Sequence, residues 1–166
     1  MINQRNYLRC DEIKNIKLEQ IYSNNDIAIK DLDYNLEAII STEAPICLDL
    51  LKERLREAFN IGKISQKALD IIMIRIKKLG IVITKDLFDI VLWPSEGAYP
   101  VKFVRLNSDR TIYQVPEVEM KLVYNHFKEI SKDEEELYHK ILNFFGFQTL
   151  TKKALEYFNH VKYINA

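Results

Sequence analysis

Ser65-Gln66-Lys67-Ala68-Leu69-Asp70-Ile71-Ile72-Met73-Ile74-Arg75-Ile76-Lys77-Lys78-Leu79-Gly80-Ile81-Val82-Ile83-Thr84 is the stretch that decides the fold. Ser65 is a good N-cap, and Leu69, Ile72, Met73, Ile76 and Leu79 recur at three- and four-residue steps, which predicts a helix over about 66–79 with a buried stripe. Gly80 stops it. Ile81 to Thr84 then reads as a strand and Lys85-Asp86 as a turn. Phe88 to Trp93 reads as a returning strand closed by Pro94.

Working outward, Asp33 is placed to cap a short helix ending near Ser41. Pro45 suits the first turn of a second helix, about 45–59, with Leu48, Leu51, Leu55 and Ala58 on one face. Asn60-Ile61-Gly62 ends that helix, with Gly62 expected to supply the left-handed residue. Three helices and a hairpin predict a winged helix-turn-helix over 33–97. Residues 1–32 read as a weakly structured arm, with a short strand at Ile27–Ile29. Over 98–166 the pattern is a strand pair (Val101 to Leu106, Thr111 to Tyr113) and a helix from Pro116 to about Ile130. Two more helices follow, over about 132–145 and 152–163. Ser131 and Glu134 have capping-box spacing, and Ala154, Leu155, Phe158 and Val161 are expected inward. The predicted class is therefore mostly α with a small β-hairpin (α+β): a winged helix-turn-helix followed by a second three-helix unit. The halves echo each other. Ala58-Phe59-Asn60-Ile61-Gly62, then Gln66-Lys67-Ala68-Leu69, is echoed by Asn143-Phe144-Phe145-Gly146-Phe147, then Lys152-Lys153-Ala154-Leu155. A tandem of two related three-helix units, the second lacking its wing, is expected, with chance similarity of two amphipathic helix pairs as the alternative.

Composition narrows the function. The chain has 166 residues, 48% hydrophobic and 29% charged, with 24 basic against 24 acidic side chains. A zero net charge gives no overall field toward nucleic acid or an anionic membrane, so such binding must be local. Two cysteines, Cys10 and Cys47, make no disulfide framework or zinc spacing, and a reduced, cytoplasmic setting is expected. No apolar run has the length of a membrane span, and the start lacks a signal sequence.

One local patch stands out. Between 63 and 80, Lys63, Lys67, Arg75, Lys77 and Lys78 face Asp70 alone, a balance of +4. In winged helices this helix enters the major groove and the surrounding cations contact phosphates. Gln66 could reach a base edge, and Lys85 would sit at the wing tip. Ile71 and Ile74, on or near the outward face, point instead to packing on protein. A solvated helix face is the third option. Residues 116–136 carry a balance of −4, through Glu117, Glu119, Glu129, Asp133, Glu134, Glu135 and Glu136 against three lysines. Acids in a first helical turn favour the helix dipole, and docking on a basic surface is the alternative. Glu136-x-x-His139 is half of a di-iron motif and no site alone. Cys47 reads as a small buried hydrophobe. The aromatics, Tyr99 and Phe103 through Phe158, read mainly as core. No catalytic or phosphate-cradling motif is present, and no metal or cofactor is expected.

Glu43-Ala44-Pro45-Ile46, Leu51 to Phe59, Gly62, Leu79-Gly80-Ile81 and Leu92-Trp93-Pro94 together resemble an uncharacterised bacterial domain family. Val101 to Arg105, Arg110, Pro116-Glu117, Phe145-Gly146-Phe147, Thr149 and Thr151 extend the resemblance over about 35–164. That family typically closes very large proteins with a superfamily I helicase-like ATPase core, usually after a small restriction-endonuclease-like domain. The resemblance carries no established biochemical role and no catalytic residue; it implies helicase-like ATPase and nuclease domains of the same parent chain as partners. In that context the expected wing and basic helix read as a non-enzymatic accessory module holding duplex or forked DNA. The alternative is a protein-interaction module that docks or forms a homodimer.

Overall fold

The computed structural model describes residues 1–165. In chain order the elements are β1 (Gln4–Asn6), α1 (Leu18–Tyr22), α2 (Asp26–Glu43), β2 (Ile46–Cys47), α3 (Leu48–Phe59) and α4 (Gln66–Lys78), then β3 (Val82–Lys85), β4 (Ile90–Trp93) and β5 (Val104–Leu106). A 3-10 turn (Ile112–Gln114) leads into α5 (Glu117–Lys128), α6 (Glu134–Phe144) and α7 (Lys152–Tyr163). The class is α+β. The chain divides into two compact units: a helix–hairpin unit of Leu8–Lys85 and Asp89–Ala98, and a C-terminal unit of Met1–Tyr7, Asp86–Phe88 and the chain from Tyr99 on. The stretch 1–32 is thus shared between them at Tyr7, and Tyr7, Cys10, Ile16 and Ile21 are buried.

In the helix–hairpin unit, Asn25 starts α2 by accepting from the Ala28 N–H at 3.1 Å. Ala28, Leu32, Leu36, Ile39 and Ile40 then line its inward face. The strand expected at Ile27–Ile29 is therefore the first turn of this helix: three alternating residues are outweighed by a cap and a long helical stripe. Asp33 lies in mid-helix and caps nothing. The Ala44–Pro45 peptide is cis, and Ile46–Cys47 forms a strand where a helical turn was expected, so α3 begins at Leu48. The left-handed residue after α3 is Asn60 (φ 53°, ψ 50°), not Gly62. Asn tolerates this region because its short polar side chain bonds locally.

Ser65 caps α4 as expected, accepting from the Ala68 N–H at 3.2 Å. The buried stripe of α4 is Ala68, Ile72 and Ile76, with Leu69, Met73 and Leu79 only half-buried. The hairpin follows directly. Val82 faces Trp93, Ile83 faces Leu92 and Thr84 faces Val91, antiparallel. Trp93 is 3% exposed and donates its indole N–H to Thr84 Oγ1 at 2.8 Å. β2 adds a third antiparallel strand, giving the order β2-β4-β3. Asp89 accepts from the backbone N–H groups of Asp49 and Ile90, at 2.8 Å each, tying the start of α3 to β4. Burial pushes its carboxyl above the usual range, against the pull of those two hydrogen bonds.

The C-terminal unit buries Val104, Met120, Val123, Tyr124, Leu137, Tyr138, Ile141, Tyr157 and Phe158 in one cluster. Only Val104–Leu106 of the expected strand pair is a strand, and its partner is β1, parallel, with Arg5 opposite Arg105. Thr111 opens a 3-10 turn instead, because Thr111 and Gln114 close a capping box. Asp133, not Ser131, caps α6: it accepts from the Glu136 N–H at 2.8 Å. The Ser131 hydroxyl donates back to the Phe127 carbonyl. Gly146, at φ +84°, ends α6 in a conformation that only glycine adopts cheaply. Leu155, expected inward, is 39% exposed, while Ala154, Tyr157, Phe158 and Val161 are buried.

Candidate functional site

The outward face of α4 begins with what surrounds its cap. Ser65 Oγ, besides capping, lies 3.1 Å from the Tyr22 hydroxyl. Lys67, two residues on, holds its ammonium 4.2 Å from the centroid of the same ring. The C-terminal unit repeats this arrangement. Thr151 caps α7 by accepting from the Ala154 N–H at 3.1 Å, and its hydroxyl lies 2.6 Å from the Tyr113 hydroxyl. Lys153 stands 4.3 Å from the Tyr113 centroid. The pairing of Lys67-Ala68 with Lys153-Ala154 thus has a structural counterpart, although the leucine that follows each points differently.

Along α4, Lys63, Gln66, Lys67, Asp70, Ile74, Lys77 and Lys78 are exposed, and so is Lys85 at the end of β3. Gln66 donates to Asp70 at 2.7 Å. Among the described residues, Lys63, Lys77, Lys78 and Lys85 have no carboxylate partner, and Lys67 has only its tyrosine ring. Arg75 does not belong with them. Its Nε and Nη2 make a bidentate pair with Asp33, at 2.8 and 2.6 Å. That hydrogen bonding raises its pKa, burial opposing. The exposed cations of the patch are therefore the five lysines. Ile71 is half-buried, whereas Ile74 is 51% exposed, the apolar point on an otherwise polar ridge.

Most of the acidic run is engaged within its own unit. Glu119 is fully buried and pairs with Arg105 and, at 2.9 Å, with Arg110. Glu117 binds the Leu87 N–H at 2.6 Å and His160 at 2.7 Å. Glu134 pairs with Lys162. Glu136 takes Lys140 at 2.8 Å and the Lys132 N–H at 2.9 Å, and these hydrogen bonds, the lysine's first, hold its carboxyl below the usual range. Glu136 is thus occupied away from metal chemistry, and His139 beside it is exposed. Among the described residues no group of three His, Cys, Asp or Glu side chains is placed to hold a metal. Both cysteines are buried and free.

Sequence reasoning missed two buried ion-pair centres. In the helix–hairpin unit Arg54 meets Glu43, whose carboxylate also accepts from the Cys10 N–H at 3.2 Å. In the C-terminal unit Arg105 and Arg110 clamp Glu119 and lie over the Tyr7 ring, 5.0 and 4.6 Å from its centroid. Both centres organise cores. Their one sequence signal is a charged residue at a stripe position, as with Arg54 between Leu51 and Leu55.

The chain matches no family model, no curated protein and no solved structure. No helix among the described residues is long and apolar enough to cross a membrane.

Proposed function

We propose that this chain is a non-catalytic nucleic-acid-binding module, an accessory to a helicase- or nuclease-type protein of the cytoplasm. The observation that carries this is the row of lysines without carboxylate partners on α4 and at the hairpin. It lies on the third helix of a helix–strand–helix–helix–hairpin order, which we take as a winged helix-turn-helix. In that arrangement the helix enters a groove and flanking cations meet phosphates. The pairing of Glu117, Glu119, Glu134 and Glu136 with residues of their own unit favours this over self-association through opposite charges. A second reading, a protein-docking module, is favoured by the exposure of Ile74 beside Asp70.

Fluorescence anisotropy on duplex, forked and single-stranded oligonucleotides separates the two. Binding on the order of micromolar at physiological salt is expected, falling steeply with salt at about 0.9 log units per phosphate neutralised on duplex. Changing Lys67, Lys77 and Lys78 together to Glu should abolish it with the fold intact. No binding at low salt, or binding indifferent to that change, leaves the docking module, with Ile74 as its anchor.

A further inference from the structure

We propose that Asp70 and Ile74 give the α4 face a base preference on duplex DNA, Asp70 selecting a base with an exocyclic amine and Ile74 a neighbouring thymine. This rests on the nucleic-acid function proposed above and names its substrate. Gln66, Asp70, Ile74 and Lys78 follow one another at four-residue steps, so they form one ridge of the helix, and all four are exposed. Lys67 and Lys77 stand ten residues apart, about 15 Å at the helical rise, which is comparable with the roughly 12 Å width of the major groove. Lys67 beside the first end of the ridge, and Lys77 and Lys78 at the second, suit phosphates on the two strands. The middle of the ridge is not cationic: it holds a carboxylate and an apolar side chain.

A carboxylate in the middle of a phosphate-binding face is unfavourable unless a donor meets it. In the major groove the donors are the amines of cytosine N4 and adenine N6, while guanine and the thymine O4 present acceptors. The hydrogen bond from Gln66 Nε2 to Asp70 Oδ1, 2.7 Å, positions the carboxylate and leaves its second oxygen and the Gln66 carbonyl oxygen as acceptors. Asp70 therefore weakens the grip on duplex in general and restores it where an amine lies opposite. Ile74, 51% exposed one turn further on, offers the apolar contact that suits a thymine methyl. The deep, narrow major groove of duplex RNA does not admit such a ridge, so the duplex is DNA.

The test uses the full chain with a pool of short DNA duplexes randomised at their centre, sequencing the bound fraction, and anisotropy on single duplexes chosen from it. The expected result is enrichment of cytosine or adenine at one step and thymine within a turn's reach of it. The preference should be about tenfold over the opposite bases. Asp70→Ala should flatten the amine preference and raise affinity for the unselected pool several-fold; Ile74→Ala should relax the thymine position alone. Binding without base preference, or a preference that Asp70→Ala leaves unchanged, overturns the base readout while the nucleic-acid function stands. No binding to any duplex, forked or single-stranded DNA at low salt overturns both. Binding confined to single strands overturns the base readout only.

Discussion

Arg54 of α3 and Glu43 at the end of α2 are ion-paired with side chains 1% and 0% exposed, the Nη2–Oε1 distance being 3.0 Å. Two groups so deeply placed satisfy each other, and neither tolerates losing its partner. Arg54→Met or Glu43→Gln alone should destabilise by about 3–5 kcal/mol, because each leaves a partner buried and uncompensated. The double change should cost clearly less than the sum of the two. A double-mutant cycle in urea melts checks this, and additive losses would show that the two residues act independently.

Arg75 tests the separation of the ion-paired cation of α4 from its exposed lysines. Arg75→Gln should cost up to about 1 kcal/mol, since the pair with Asp33 is bidentate but partly exposed. Its effect on duplex affinity should be smaller than that of Lys77→Gln. Parallel melts and anisotropy titrations compare them.

The inward face of α7 gives a contrast between neighbours. Phe158→Ala should cost about 3–5 kcal/mol by emptying a fully buried site. Leu155→Ala, at an exposed position, should stay within about 1 kcal/mol. Equal losses in denaturant melts would place Leu155 in a core.

Glu136 supplies a pH dependence with a fixed sign. Its carboxyl is held below the ordinary value of 4.5, first by Lys140 and then by the Lys132 N–H. A carboxyl lowered by folding contributes stability above its unfolded value, and that contribution is lost as pH falls through the folded value. Glu136→Gln should therefore destabilise at pH 7 and make no difference once the pH is well below 4.5. Melts of both proteins across acid pH read this directly.

The helix–hairpin segment was legible because its signals are local. Ser65, the Ile72–Ile76 stripe, Gly80 and the β-branched run after it all lie within a few residues of what they determine. What stayed hidden depends on distant partners. Nothing near Gln4–Asn6 announces a strand whose mate is Val104–Leu106. Nothing in the neighbourhood of Glu43 or of Arg54 announces that the two meet in one core. The Lys-Ala-Leu pattern shared by both units misleads at Leu155, because the buried residue common to both copies is the alanine, Ala68 and Ala154. The lysine patch was readable as charge, but only the Asp33 pair takes Arg75 out of it.

The parallel pairing of β1 with β5 has a consequence for synthesis. Gln4–Asn6 are made about a hundred residues before the strand they join, and the whole helix–hairpin unit is translated in between. Its contacts all lie within Leu8–Ala98 and can form while the chain is still growing. The C-terminal unit cannot be completed until Val104–Leu106 has emerged, so its early strand waits, unpaired, through the making of its neighbour.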